Sequence, residues 1–249
     1  MPGVTLSRWT MSYFALALLS LMAALALMAG GFGYPSTEVA APRTLLVVHL
    51  VAIGWLSLLL CGALFQFVPV LIARPLFSDR LPLATLGCLG GGLLLLLCGF
   101  LHLAGVPGPA WSVLPWGGGL LVVGLALAIY NLARTMWAAR PLGLPARFVA
   151  VGLASLAATA LLGFVFTLFF GGVSASPLVA QLTVEGLPLH VIAGLGGWLT
   201  FTAMGVSYRL LAMFMLAPEL EGKTTRAALW SGAAALAVAV AGGVVAIAA

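Results

Sequence analysis

Seven apolar stretches, each long enough to cross a bilayer, follow one another through this chain with only short loops between them. A span needs about 20 consecutive apolar residues, because 1.5 Å of rise per residue must cover roughly 30 Å of hydrocarbon. The stretches fall at about 10–31, 43–73, 82–105, 111–139, 146–173, 180–216 and 225–248. Pro35, Pro42, Pro75, Pro82, Pro107, Pro109, Pro141, Pro145, Pro177 and Pro218 punctuate their ends, as a residue without an N–H should. With 63% hydrophobic and 6% charged residues, the chain lacks the charge to clothe a water-facing domain. The expected fold is all-α: a single seven-helix transmembrane domain over residues 1–249, solvated by the lipid bilayer.

The charges set an orientation. With the N-terminus inside, the inner loops collect Arg8, Arg74, Arg80, Arg134, Arg140, Arg147, Arg209, Lys223 and Arg226, and the outer loops keep only Arg43. That asymmetry follows the positive-inside rule and predicts an N-in, C-out topology. Such a chain belongs in a cytoplasmic membrane of bacterial type. The first span follows Arg8 like a signal peptide, but its apolar run of about 20 residues exceeds the usual h-region, so a retained span is expected. The net charge of +5 is scattered over loops and shows no basic cluster with interleaved aromatics, which speaks against nucleic acid.

Inside this frame one phrase occurs twice. His49-Leu-Val-Ala-Ile-Gly54-Trp55-Leu-Ser stands in the second span, and His190-Val-Ile-Ala-Gly194-Leu-Gly-Gly197-Trp198-Leu-Thr in the sixth. Superposing the Gly-Trp pairs aligns Gly62 with Gly205, Phe65 with Tyr208 and Pro75 with Pro218 without a gap. An even number of crossings separates the two spans, so the repeat is parallel, a pattern that places ligand sites at repeat interfaces.

An imidazole in hydrocarbon is costly and marks a candidate site. His49 and His190 lie at comparable depth in the outer half, with no acidic residue deep in the membrane to pair with; Glu38, Asp79, Glu185, Glu219 and Glu221 are all loop or end residues. Two imidazoles suit iron in a porphyrin, which supplies the other four ligands itself. Zinc would need further Cys, Asp or Glu ligands that the chain does not offer. His49 and His190 are therefore the expected ligands of one haem b. Gly194 and Gly197 lie four and seven residues beyond His190 and bare the helix face beneath it, which a flat macrocycle could approach; close packing of helices explains them equally well. Arg43, near the mouth of the second span, matches a haem propionate, or is a solvated loop residue. His102, near the outer end of the third span, reads as an interfacial side chain that reaches water. Trp55 and Trp198 read as core, and Trp9, Trp111, Trp116, Trp137 and Trp230 as an interfacial belt. Cys61, Cys88 and Cys98 show no ligand spacing and read as small buried residues.

The stretches from His49 to Pro75 and from His190 to Pro218, about a fifth of the chain, resemble helices of haem-copper oxidase subunit I and its short relatives in the nitric oxide reductase and cbb3-type branch. Those helices carry haem ligands as His-x-His. Here Val47 replaces the first histidine of one stretch, and Ile192 the second histidine of the other. The resemblance implies a haem helix pair but not the family's catalysis, since a complete oxygen-reducing core needs twice the three histidines present.

The function expected is therefore a membrane-bound b-type haem protein in electron transfer at the outer face, with a respiratory or other redox protein as partner. Two readings stand beside it. One is a five-coordinate haem that senses or binds a diatomic gas; the other is a haem-free accessory or assembly subunit. No nucleophile-base-acid constellation supports a hydrolytic enzyme.

Overall fold

Helix follows helix with no strand among the described residues, which in this computed structural model are 8–108, 112–218 and 222–249. Pro109, Trp111, Glu219 and Glu221 lie outside them. We number the helices α1 (Arg8–Ala29), α2 (Pro42–Ile72), α3 (Leu81–Leu103), α4 (Leu114–Trp137), α5 (Leu144–Phe170), α6 (Pro177–Glu185), α7 (Leu187–Phe214) and α8 (Lys223–Ala248). All but α6 are long and apolar enough to cross a membrane, which makes seven, as the hydropathy requires. The one departure lies at the sixth span. A single stretch was expected from about residue 180, but Gly186 closes α6 and Pro188 sits in the first turn of α7. A proline there has no N–H to continue the preceding helix, so the chain starts again.

By their contacts the residues form two compact units. The first holds α1, α2 as far as residue 66, α3, and α4 as far as residue 128. The second holds α5 as far as residue 169, then α6, α7 and α8, with the remaining turns of α2 and α4.

In the first unit α1 packs on α2 through two glycines. A Cβ on Gly54 would lie 2.7 Å from the Ser20 Cβ, and one on Gly62 would lie 2.6 Å from the Tyr13 Cβ. No real side chain tolerates those distances, so the two backbones touch because both residues are glycine. Leu93 of α3 also closes on Gly54, its Cδ2 3.0 Å from where a Cβ would lie. The face of α3 toward α4 is built in the same way, with Leu121 over Gly92 and Leu114 over Gly99.

In the second unit α5 packs on α7 through Gly197 against Ser155 and Gly205 against Phe148, and Leu236 of α8 lies over Gly197. Its core gathers Leu144, Phe148, Phe201 and Leu229, all buried.

Three of the long helices, α2, α7 and α8, are not plain α-helices. The backbone widens to π-helical turns over Leu50–Ser57 in α2, Ile192–Phe201 in α7 and Val238–Gly242 in α8. Hydroxyls elsewhere within the helices reach back three or four residues, as from Thr167 to the Phe164 carbonyl at 2.7 Å and from Ser20 to the Leu16 carbonyl at 2.9 Å. In the wide turns of α2 and α7 they reach back five. Ser57 donates to the Ala52 carbonyl at 2.8 Å, and Thr200 to the Leu195 carbonyl at 2.7 Å. Both α2 and α7 end on a residue that is not glycine yet has positive φ, Ala73 at 51° and Leu216 at 50°. The next amide then donates five residues back, Arg74 to the Pro69 carbonyl and Ala217 to the Ala212 carbonyl. That bond is the usual way a left-handed residue satisfies a helix end.

Candidate histidine sites

His49 is the last residue of α2 before the wide turns begin. The helix is started by Pro42 after an extended Ala41, and it is tied to the preceding loop by Thr44, which donates to the Glu38 carbonyl at 2.7 Å. Gly33, at φ 87°, lets that loop lie against the backbone of Arg43 and Thr44, a conformation glycine adopts without strain. The His49 Nδ1 lies 2.7 Å from the Leu45 carbonyl, one turn back. A carbonyl only accepts, so Nδ1 carries the proton and the lone pair sits on Nε2. The ring packs on Phe100 of α3, centroids 5.0 Å apart, and is partly buried.

His190 stands two residues before the wide turns of α7. Its Nδ1 lies 3.0 Å from the carbonyl of Thr159 on α5, which fixes the same tautomer. Gly163 makes the approach possible: a Cβ there would lie 3.0 Å from the His190 Cε1. Phe166 flanks the ring at 5.4 Å between centroids. Thr159, Gly163, Phe100 and Phe166 are thus the neighbours that sequence reasoning missed. Each lies on a different helix from its histidine, and only a glycine in the midst of an apolar run hinted at one of them.

The other candidates fall as follows. Arg43 is exposed, and its guanidinium lies 5.5 Å from the centre of the Phe32 ring. Gly194 meets Thr159, at 3.4 Å from the Cγ2 for an added Cβ, and Gly197 meets Ser155, so α5 occupies the bare face of α7 at both glycines. His102 is exposed in the last turn of α3, next to Gly108. Trp198 is buried, as a core residue should be, whereas Trp55 is half-buried. Cys61 is buried, Cys88 half-buried and Cys98 exposed, and all three are free thiols.

Among the described residues no three of His, Cys, Asp or Glu converge as a metal cage would require. Each histidine unit therefore offers one imidazole, held on its Nδ1 side by main chain and flanked by a phenyl ring. Wide turns of this kind occur often at functional sites, because they set side chains at angles a regular helix does not reach. The chain matches no family model, no curated protein and no solved structure. What it does has to be read from its own residues.

Proposed function

We propose that this chain is a membrane-bound b-type haem protein, a short relative of haem-copper oxidase subunit I, in which His49 and His190 present Nε2 to one haem iron. One observation carries the reading: both imidazoles turn Nδ1 to a backbone carbonyl, at 2.7 Å in His49 and 3.0 Å in His190. Imidazoles that ligate a metal almost always anchor the other ring nitrogen in this way, which fixes the tautomer and raises the ligand's basicity. Haem asks for no more than one or two such ligands, so it suits a chain with three histidines. When bound it would supply one-electron exchange; the chain's own residues orient the imidazoles, and the exposed Arg43, in the first turn of α2, would meet a propionate.

The charge map supports an N-in, C-out arrangement in a bacterial cytoplasmic membrane, with the histidines in the outer leaflet and a redox protein as partner there. The wide turns, hydroxyl bonds and left-handed ends shared by α2 and α7 support a parallel repeat.

A reduced preparation from haem-supplied cells is expected to show a Soret band with sharp α and β bands. His49→Ala and His190→Ala should each remove the low-spin spectrum, and His102→Ala should leave it intact. A protein without Soret absorbance would end the proposal in favour of a haem-free scaffold. A second reading draws on the neighbours of each ring. His49 leans on α3 and His190 on α5, so equivalent helices turn their histidines to different partners, which suits single-histidine ligation. Carbon monoxide separates the two: a ferrous haem with two axial imidazoles binds it slowly, and a five-coordinate one readily.

A further inference from the structure

His49 and His190 are aimed by different means. The His49 Nδ1 reaches the Leu45 carbonyl, one turn back on its own helix, so ring and anchor move as one body. The His190 Nδ1 reaches across to the Thr159 carbonyl on α5, 31 residues away in the chain. Only a short piece of its own helix surrounds it. His190 lies in the stretch Leu187–Val191, between the end of α6 at Gly186 and the wide turns that begin at Ile192.

That stretch is seated from outside. A Cβ on Gly243 of α8 would lie 2.7 Å from the Leu189 Cδ2, and a Cβ on Gly163 of α5 would lie 3.0 Å from the His190 Cε1 and 3.5 Å from its Nδ1. Adjacent side chains thus rest on the bare backbone of two different helices. On α5 the seat has three parts at helical spacing. Thr159 offers its carbonyl, Gly163 clears the ring edge, and Phe166 flanks the ring at 5.4 Å between centroids. The Thr159 hydroxyl is not the anchor, since it donates to the Ser155 carbonyl at 2.9 Å.

The helix that corresponds to α5 in the first unit is built otherwise. Ser20 and Tyr13 of α1 meet Gly54 and Gly62 of α2 as Ser155 and Phe148 of α5 meet Gly197 and Gly205 of α7. That match sets Met28 of α1 where α5 has Gly163. A ring edge laid there would meet a long side chain instead of bare backbone, and His49 lies on Phe100 of α3.

We infer that Thr159 and Gly163 are positioning residues for His190: α5, and not the helix that bears the ring, sets its tautomer and the direction of its Nε2 lone pair. The aim of His190 answers to the packing of α5 on α7, and that of His49 does not. Under the haem reading, on which this consequence rests, His190 is the axial imidazole that gives way first.

The test follows the two Nδ1–H protons by NMR in the full, isotope-labelled chain, purified and reduced, with assignments from His49→Ala and His190→Ala. Gly163→Val should speed exchange of the His190 proton with water by about fivefold or more, the worth of one hydrogen bond. The His49 proton should keep its rate, which also shows that the chain is folded. Should Gly163→Val fail to fold, Gly163→Ala decides, with a smaller change of the same sign. Thr159→Ala should leave both protons alone, because the anchor is main chain. An unmoved His190 proton overturns the inference, and so does equal acceleration of both, which would mean general loosening. Carbon monoxide tests the consequence: Gly163→Ala should bind it about tenfold faster than the unaltered protein, toward the rate of His190→Ala. An unchanged rate overturns the place of His190 as the first to give way. A protein without a Soret band ends the haem reading alone, and the Nδ1–H protons still decide what aims His190.

Discussion

Set side by side, the two units agree in their backbone devices and differ in their polar groups. Both pack one helix on another through a pair of glycines and both widen to π turns at Gly-Trp, and the two helices that carry those turns, α2 and α7, each run on to a left-handed residue. A ring pair also recurs. Tyr13 meets Phe65 at 5.7 Å in the first unit, and Phe148 meets Tyr208 at 5.3 Å in the second. The hydroxyl has changed sides. In the first unit it is buried and donates to the Pro82 carbonyl at 2.7 Å, beside a Gln66 that donates to Thr10 at 2.8 Å. The residue that corresponds to Gln66 is Arg209, which borders an apolar crevice with Phe67, Val206 and Met213. The histidines follow the same rule, one leaning forward to α3 and the other back to α5. Close backbone approach leaves no room for change, because an added methyl has nowhere to go, whereas a polar group can move to any neighbour that satisfies it. The two units therefore agree where backbones touch and differ where a polar group has a choice of partner.

Substitutions can break or sharpen this comparison, and the largest effect is expected at the glycines. Gly54→Ala and Gly197→Ala should each cost about 1–3 kcal/mol by overpacking, read as a lower unfolding temperature in detergent. Ser20→Gly should rescue the first and Ser155→Gly the second, since each removes the atom that the new methyl meets. A neutral Gly197→Ala would show that the second unit does not use its glycine as the first does.

Next comes the hydroxyl. Tyr13→Phe should cost about 1 kcal/mol, the usual net worth of a buried hydrogen bond. Tyr208→Phe should be close to neutral, because Tyr208 is only partly buried at the edge of its cluster. Equal losses in the two variants would mean that the hydroxyl has the same role in both units.

The smallest effect has the opposite sign. Ala73→Gly and Leu216→Gly should each raise stability by about 1 kcal/mol or less, since glycine relieves the left-handed backbone but gains freedom when unfolded. If only one of the two stabilises, the shared helix ending is coincidental in the other.

Much of the frame was legible because hydrocarbon demands it: apolar length and the placing of proline located six of the seven spans to within a few residues at both ends, and the inner end of the sixth. The break between α6 and α7 was not legible, since Gly186 and Pro188 sit within a run whose hydropathy barely changes. The repeated Gly-Trp marked the wide turns of α2 and α7 without revealing them, and nothing marked the one in α8, because a π turn alters hydrogen-bond register and not hydropathy. Around the histidines, sequence reading found the imidazoles but not their partners. Thr159 and Gly163 reach His190 only through the packing of α5 on α7, and that same packing takes up Gly194 and Gly197, where a macrocycle face had been expected.

A π turn also stores something an α turn cannot: a spare residue. Its hydrogen-bonded ring contains one residue more than the i to i−4 ring, so losing one residue between Leu50 and Ser57 lets the helix tighten to α form instead of breaking. The part of α2 that bears His49 would keep nearly the same facing relative to the part below, because the wide turn takes about five residues where an α turn takes about four. The same holds for the part of α7 that bears His190. In each helix the histidine is mounted above a turn that can lose one residue without re-aiming the imidazole. Chain length at these two turns can therefore change while each ring keeps its neighbours.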